Sequence, residues 1–144
     1  MKLAINFFTE DVDFKLKGKK DIKSWIKKVI GSENRVVGNI NYIFTTDESL
    51  LEINKKYLKH TTYTDIITFN YNQGKILNGD IYISVDRVRD NAKVYSDNFE
   101  KELFRVLVHG VLHLIGYDDV SDSLEKVMRQ KEDQYLKMLF AEFL

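Results

Sequence analysis

The sequence predicts an α+β fold, a small mixed β-sheet of about four strands covered by about five helices. Three observations carry that expectation. Stretches with apolar residues at every second position are interspersed with stretches spaced at i, i+3 and i+4, so strands and helices are mixed along the chain. Asn72-Gln-Gly74 separates two β-rich runs and has the composition of a turn between antiparallel strands. The 144 residues contain no proline and no Gly/Ser-rich linker, so one domain over 1–144, with a core of its own, is expected.

Taken in order, Lys2 to Phe8 alternates through Leu3, Ile5 and Phe7 and predicts a first strand. Ile22, Trp25, Ile26, Val29 and Ile30 form a helical stripe that Gly31 is placed to stop. Val36 to Thr45 is the second strand, with Ile40, Tyr42 and Phe44 alternating. Thr45-Thr-Asp-Glu48 has the pattern of a capping box for a short helix whose inner face is Leu50, Leu51, Asn54 and Tyr57. A polar loop from Leu58 to Asp65 leads to a strand at Ile66–Tyr71, and Asp80–Ser84 is the returning strand. Ser84 caps a helix from Val85 to about Tyr95, with Val88, Ala92 and Tyr95 inward, and Asn98 caps the next. Asp122-Ser-Leu-Glu125 opens a last helix with a stripe of Leu124, Val127, Met128, Tyr135, Met138 and Leu139.

Composition removes several functional classes. There is no cysteine, so disulfides and thiolate metal sites are excluded and any metal ligands are His, Asp or Glu. No apolar run approaches the roughly 18 residues of a membrane span, and the first residues lack a secretory apolar core. A cytoplasmic protein is expected, with no membrane partner. Net charge is zero, but residues 1–35 carry nine Lys/Arg against five Asp/Glu, and residues 118–144 carry four against seven. Affinity for a polyanion would therefore come from a local groove or a partner protein rather than from overall attraction.

The chemistry concentrates in Arg105 to Asp119. His109 and His113 are four apart on an apolar helix, so both rings lie on one face and can reach one ion. Gly116 is placed for a left-handed helix end, which turns the chain back and brings Asp118 or Asp119 towards the same point. Two histidines and one carboxylate leave a position for water, the form of catalytic zinc sites. A peptidase of the His-Glu-x-x-His type is disfavoured, because the position of its glutamate is Gly110.

The stretch His109-Gly-Val-Leu-His113-Leu-Ile-Gly116-Tyr117-Asp118-Asp119 resembles the signature of the YbeY family of bacterial ribosomal-RNA maturation endoribonucleases, His-Gly-x-Leu-His-Leu-x-Gly-Tyr-Asp-His. Asn54-x-x-Tyr57, Thr64-Asp65-Ile-Ile-Thr-Phe69 and Gly79-Asp80-Ile-Tyr-Ile-Ser84 match further family segments in order, so the resemblance covers about residues 40–135. It implies a zinc-dependent, single-strand-specific endoribonuclease acting in ribosomal RNA 3′-end maturation and ribosome quality control. One Zn2+ ion on His109, His113 and Asp119 is implied, with other divalent metals as alternatives. Ribosomal RNA and the ribosome are the implied partners, with ribosomal or GTPase proteins beside them.

Two positions depart from the family pattern. Asp119 stands where the family has its third histidine; the added negative charge weakens the ion as a Lewis acid and widens metal choice towards manganese or magnesium. Leu58 stands where the family has an arginine, followed by Lys59 and His60, the candidate substrate-facing residues. Arg87 and Arg89 are further phosphate-holding candidates, and Asp65 and His60 are candidate bases. Three readings compete on the sequence: a metal-dependent endoribonuclease, a metal hydrolase of another substrate, and a non-catalytic ribosome-associated module stabilised by metal.

Overall fold

The computed structural model describes residues 4–95 and 98–144. Along them run β1 (Ile5–Thr9), α1 (Lys19–Ser32), β2 (Val36–Thr45), α2 (Asp47–Leu58), β3 (Ile66–Asn70), β4 (Ile76–Ser84), α3 (Val85–Tyr95), α4 (Phe99–Ile115) and α5 (Asp122–Glu142). The strands form one mixed sheet in the order β1-β2-β4-β3. β1–β2 and β2–β4 are parallel, and β3–β4 is antiparallel. Parallel neighbours need long crossovers, supplied by α1 for the first pair and by α2 and β3 for the second. Gly74 takes φ 58° in the turn of the β3–β4 hairpin.

The register places Ile5 beside Ile40 and Phe7 beside Tyr42, while Tyr42 also faces Ile81 and Phe44 faces Ile83. Because side chains alternate, these residues share one sheet face; Phe7 is partly buried, and the others are buried with Ile22, Trp25, Ile26, Val29 and Ile30 of α1. The polar tips in this layer are satisfied. Tyr42 OH donates to the Leu107 carbonyl at 2.7 Å, and Trp25 Nε1 donates to the Tyr135 carbonyl at 2.8 Å.

α4 is the central helix, buried on nearly every side from Glu102 to Leu114. It lies unusually close to the sheet at two glycines. A Cβ on Gly110 would fall 2.8 Å from Ile81 Cγ2, and one on Gly79 would fall 2.8 Å from both Leu114 Cδ2 and the Phe69 carbonyl oxygen. These contacts fix the depth and rotation of the helix that carries both histidines.

Several local expectations shift. The helix does not stop at Gly31; it runs to Ser32, and Asn34 takes the left-handed position at φ 60°. There the Arg35 N–H donates to the Ile30 carbonyl and the Asn34 N–H to the Gly31 carbonyl. Thr45 is held in the ladder opposite Ser84, so the cap of α2 is Thr46, whose hydroxyl accepts from the Ser49 N–H at 3.1 Å. Likewise Ser121, not Asp122, caps α5 by accepting from the Leu124 N–H. Leu124 and Val127 at the start of α5 are exposed, and so are Tyr95 and Tyr57, rather than inward. β4 begins at Ile76, earlier than expected, since Leu77 and Gly79 already face the core. Lys2 and Leu3 of the expected first strand lie outside the described residues.

Candidate metal centre

The centre is built where α4 ends. His109 and His113 stand one turn apart with ring centroids 4.5 Å apart. α4 then closes with the Gly116 N–H donating to the His113 carbonyl and the Tyr117 N–H to the Leu112 carbonyl, Gly116 being at φ 125°. Asn72 Nδ2 donates to the Leu114 carbonyl at 2.7 Å and Arg35 to the Ile115 carbonyl at 3.3 Å, so the helix end is tied to the β3–β4 turn and to the end of α1. The reversal brings Asp119 Oδ2 to 3.6 Å from His109 Nε2 and 3.8 Å from His113 Nε2. One ligand atom from each of the three residues lies within 4.8 Å of the others.

The other ring nitrogens are occupied. His109 Nδ1 lies 2.6 Å from Glu132 Oε2, and His113 Nδ1 lies 3.0 Å from the Tyr117 carbonyl oxygen. An acceptor at each Nδ1 places the proton there and leaves each Nε2 with a lone pair facing Asp119, the tautomer a metal ligand requires. Burial opposes protonation of His109, but the Glu132 carboxylate outweighs it and raises the pKa. For His113, burial and the neighbouring His109 lower it. The donor set fits a borderline ion such as zinc: two neutral imidazoles, one carboxylate and a partly exposed approach.

Two further layers hold these groups. Glu132, on α5 and only 4% exposed, also accepts from Arg105 Nη1 at 3.0 Å. Burial pushes its carboxyl up, but the hydrogen bonds from His109 and Arg105 more than offset this and leave it lowered. Glu33, just beyond α1, accepts from Tyr117 OH at 2.6 Å, from Lys131 Nζ at 3.2 Å and from Tyr135 OH. Tyr117 is thereby clamped at its ring while its carbonyl orients His113. Sequence reasoning missed Glu132, Glu33 and Arg105. The signal for Glu132 was present as an acid at helical spacing between Met128 and Tyr135 on an otherwise apolar stripe.

Two grooves flank the centre. One, of about 370 Å³, lies between α3, α4 and α5 and includes Asp65, Asn91, Glu102, Arg105, His109 and Asp119. The other, of about 410 Å³, includes Asn54, Leu58, His60, Ile67, Thr68 and His113. His60 thus shares a groove with His113, while Lys59 takes φ 56° at the end of α2, exposed beside it. Asp65 lines the first groove and accepts weakly from Asn91 at 3.4 Å, and burial pushes its carboxyl up. Arg87 is committed elsewhere, 2.8 Å from Asp47 Oδ2, and Arg89 lies over the Phe99 ring; neither lines these grooves.

The profile of the family described as Endoribonuclease YbeY matches residues 5–140. Endoribonuclease YbeY of Flavobacterium psychrophilum is 50% identical over 131 residues, covering 91% of this chain and 94% of that protein. The Christiangramia forsetii protein of the same name is 46% identical over 141 residues, 98% of each chain. A solution structure of a Thermotoga maritima protein superposes with a TM-score of 0.65 at 28% identity, covering 96% of this chain and 90% of that one. With a profile that spans nearly all of its strands and helices and relatives alike over almost their whole length, the chain belongs to the YbeY endoribonuclease family.

Proposed function

We propose that the protein is a zinc-dependent, single-strand-specific endoribonuclease acting in 3′-end maturation of ribosomal RNA and in ribosome quality control. The observation that carries the reading is the convergence of His109 Nε2, His113 Nε2 and Asp119 Oδ2 at the mouth of two grooves. Family membership supports RNA as the substrate. His109, His113 and Asp119 would hold the ion. When bound, the ion supplies Lewis acidity for water activation and for charge developing on a phosphodiester.

The chain's own residues do the rest. Glu132 and the Tyr117 carbonyl keep each Nδ1 protonated and each ring in register. Lys59 holds a phosphate as a point charge at the rim of the His113 groove. His60 in that groove and Asp65 in the other are the side chains suited to move a proton, Asp65 at a carboxyl that burial holds above its ordinary range. Among the described residues no helix is long and apolar enough to cross a membrane. A cytoplasmic enzyme working on the ribosome, beside ribosomal or GTPase proteins, is the setting this function requires.

Metal analysis of purified protein with zinc, followed by an RNA-cleavage assay, tests the proposal on wild type and His113→Ala. Loss of both bound zinc and cleavage in the variant is expected. Zinc retained by His113→Ala refutes the ligand set. Equal cleavage by the two proteins, or cleavage of simple phosphodiesters but not RNA, refutes the ribonuclease.

A further inference from the structure

The groove that His113 enters has a second end. From His113 it runs along Ile66, Ile67 and Thr68 of β3 to Asn54 and Leu58 of α2. The next residues outward are aromatic. Tyr57 precedes Leu58, Phe69 follows Thr68, and their rings meet edge to face with centroids 5.7 Å apart. Tyr57 is 59% exposed. Lys56 and Lys59 are exposed beside it, with Lys56 Nζ 5.3 Å from the centre of the Tyr57 ring, while Lys55 Nζ lies 3.7 Å from Glu52 Oε1. Lysines at a helix C-terminus complement the helix dipole, which accounts for the cations but not for the open ring among them or its partner on β3.

We infer that Tyr57 and Phe69 form a stacking platform for unpaired bases of single-stranded RNA whose backbone runs along this groove to the metal centre, with Lys56 and Lys59 on its phosphates. The inference rests on the endoribonuclease reading and names the path its substrate takes. Charge selects this groove over the other. The groove at His109 carries the carboxylates Asp65, Glu102, Asp119, Glu125 and Glu132 against Arg105 and Arg129, whereas the lining of the His113 groove contains no acid and ends near Lys56 and Lys59. A polyanion is favoured only in the second.

Phe69 also meets Tyr82, with ring centroids 5.9 Å apart, further along the sheet. Aromatic faces accept any base but need it splayed from a partner strand, so this geometry selects single strands without reading sequence.

The test is fluorescence anisotropy with a short, unstructured, labelled RNA and the full-length protein, in chelator to prevent cleavage. Wild type, Tyr57→Ala, Tyr57→Phe and Lys56→Gln are compared, with a duplex of the same sequence as control. Tyr57→Ala is expected to weaken single-strand binding about tenfold, Tyr57→Phe to restore it, and Lys56→Gln to flatten the dependence of log affinity on log salt by about 0.7. Duplex binding stays unchanged. Equal single-strand affinity of Tyr57→Ala and wild type overturns the platform and leaves a protein partner as the occupant of this rim. If wild type then still cleaves RNA with zinc, the endoribonuclease reading survives that failure. If wild type binds RNA through Tyr57 but never cleaves it, the platform stands and the catalytic reading falls.

Discussion

Glu132 Oε2 lies 2.6 Å from His109 Nδ1, across the junction of α5 and α4. The same carboxylate accepts from Arg105, one helical turn before His109, so a single buried acid fixes both the ring and the helix face that carries it. Removing one partner of such a set leaves the others buried without compensation.

Glu132→Gln is accordingly expected to weaken metal binding about 10–100-fold, the usual effect of losing a ligand's outer hydrogen bond. The amide can still donate to or accept from a neighbour, so the fold persists. Titration with zinc against a competing chelator, alongside circular dichroism, checks both statements. Unchanged affinity would show that the Glu132 contact orients nothing.

Asp119 is the proposed third ligand, beside His109 and His113. Asp119→Asn removes the charge and is expected to lower affinity by at least as much as the Glu132 change, about 10–100-fold. Asp119→His keeps three donors, all neutral, and is expected to shift preference from manganese towards zinc. Competition between the two ions, followed by atomic absorption, reads the ratio. An Asn variant that binds as tightly as wild type excludes Asp119 from the site.

Gly110 and Gly79 set the distance between α4 and the sheet. Gly110→Ala presses a methyl on Ile81 and Ile66 side chains, which can shift, and is expected to cost about 1–3 kcal/mol. Gly79→Ala meets the Phe69 carbonyl as well as Leu114, and backbone cannot rotate away, so its cost is expected to be the larger of the two. Urea denaturation of both variants gives the order. A reversed order would mean that β3 yields more readily than α4.

Glu33 gives a prediction in pH. Burial pushes its carboxyl up, but hydrogen bonds from Tyr117, Tyr135 and Lys131 outweigh it and leave the folded pKa below 4.5. A depressed folded pKa means that the stabilisation is complete above the unfolded value and is lost as pH falls through the folded one. Glu33→Gln is expected to cost about 1–3 kcal/mol near neutral pH, with the gap from wild type closing as pH drops below about 4. Because Glu33 clamps the Tyr117 ring, the variant should also bind zinc more weakly at pH 7. Denaturation midpoints across pH, with a zinc titration, test both halves; a gap independent of pH would remove Glu33 as its source.

Local patterns determined much of this molecule from the sequence alone. The i, i+4 histidines on an apolar stripe, the glycine after them and the acid beyond it follow from helix periodicity and backbone sterics, which act over a few residues. The strand pattern of Val36–Thr45 and the hairpin turn at Gly74 were legible for the same reason. Cap positions slipped by one residue at Thr46 and Ser121, because neighbouring Ser, Thr and Asp side chains offer equivalent acceptors. At Thr45, pairing with Ser84 decides which of them is free.

What only the tertiary structure decided lies between elements distant in sequence. Glu132 reaches His109 across 23 positions, and Tyr117 reaches Glu33 across 84. The open Tyr57 ring was expected inside and meets Phe69 instead, because α2 ends over the rim of the sheet rather than over its core. Such contacts depend on how α4 seats against β3 and β4 at Gly110 and Gly79, and close packing of that kind is a property of the assembled layers that no periodicity within one segment encodes.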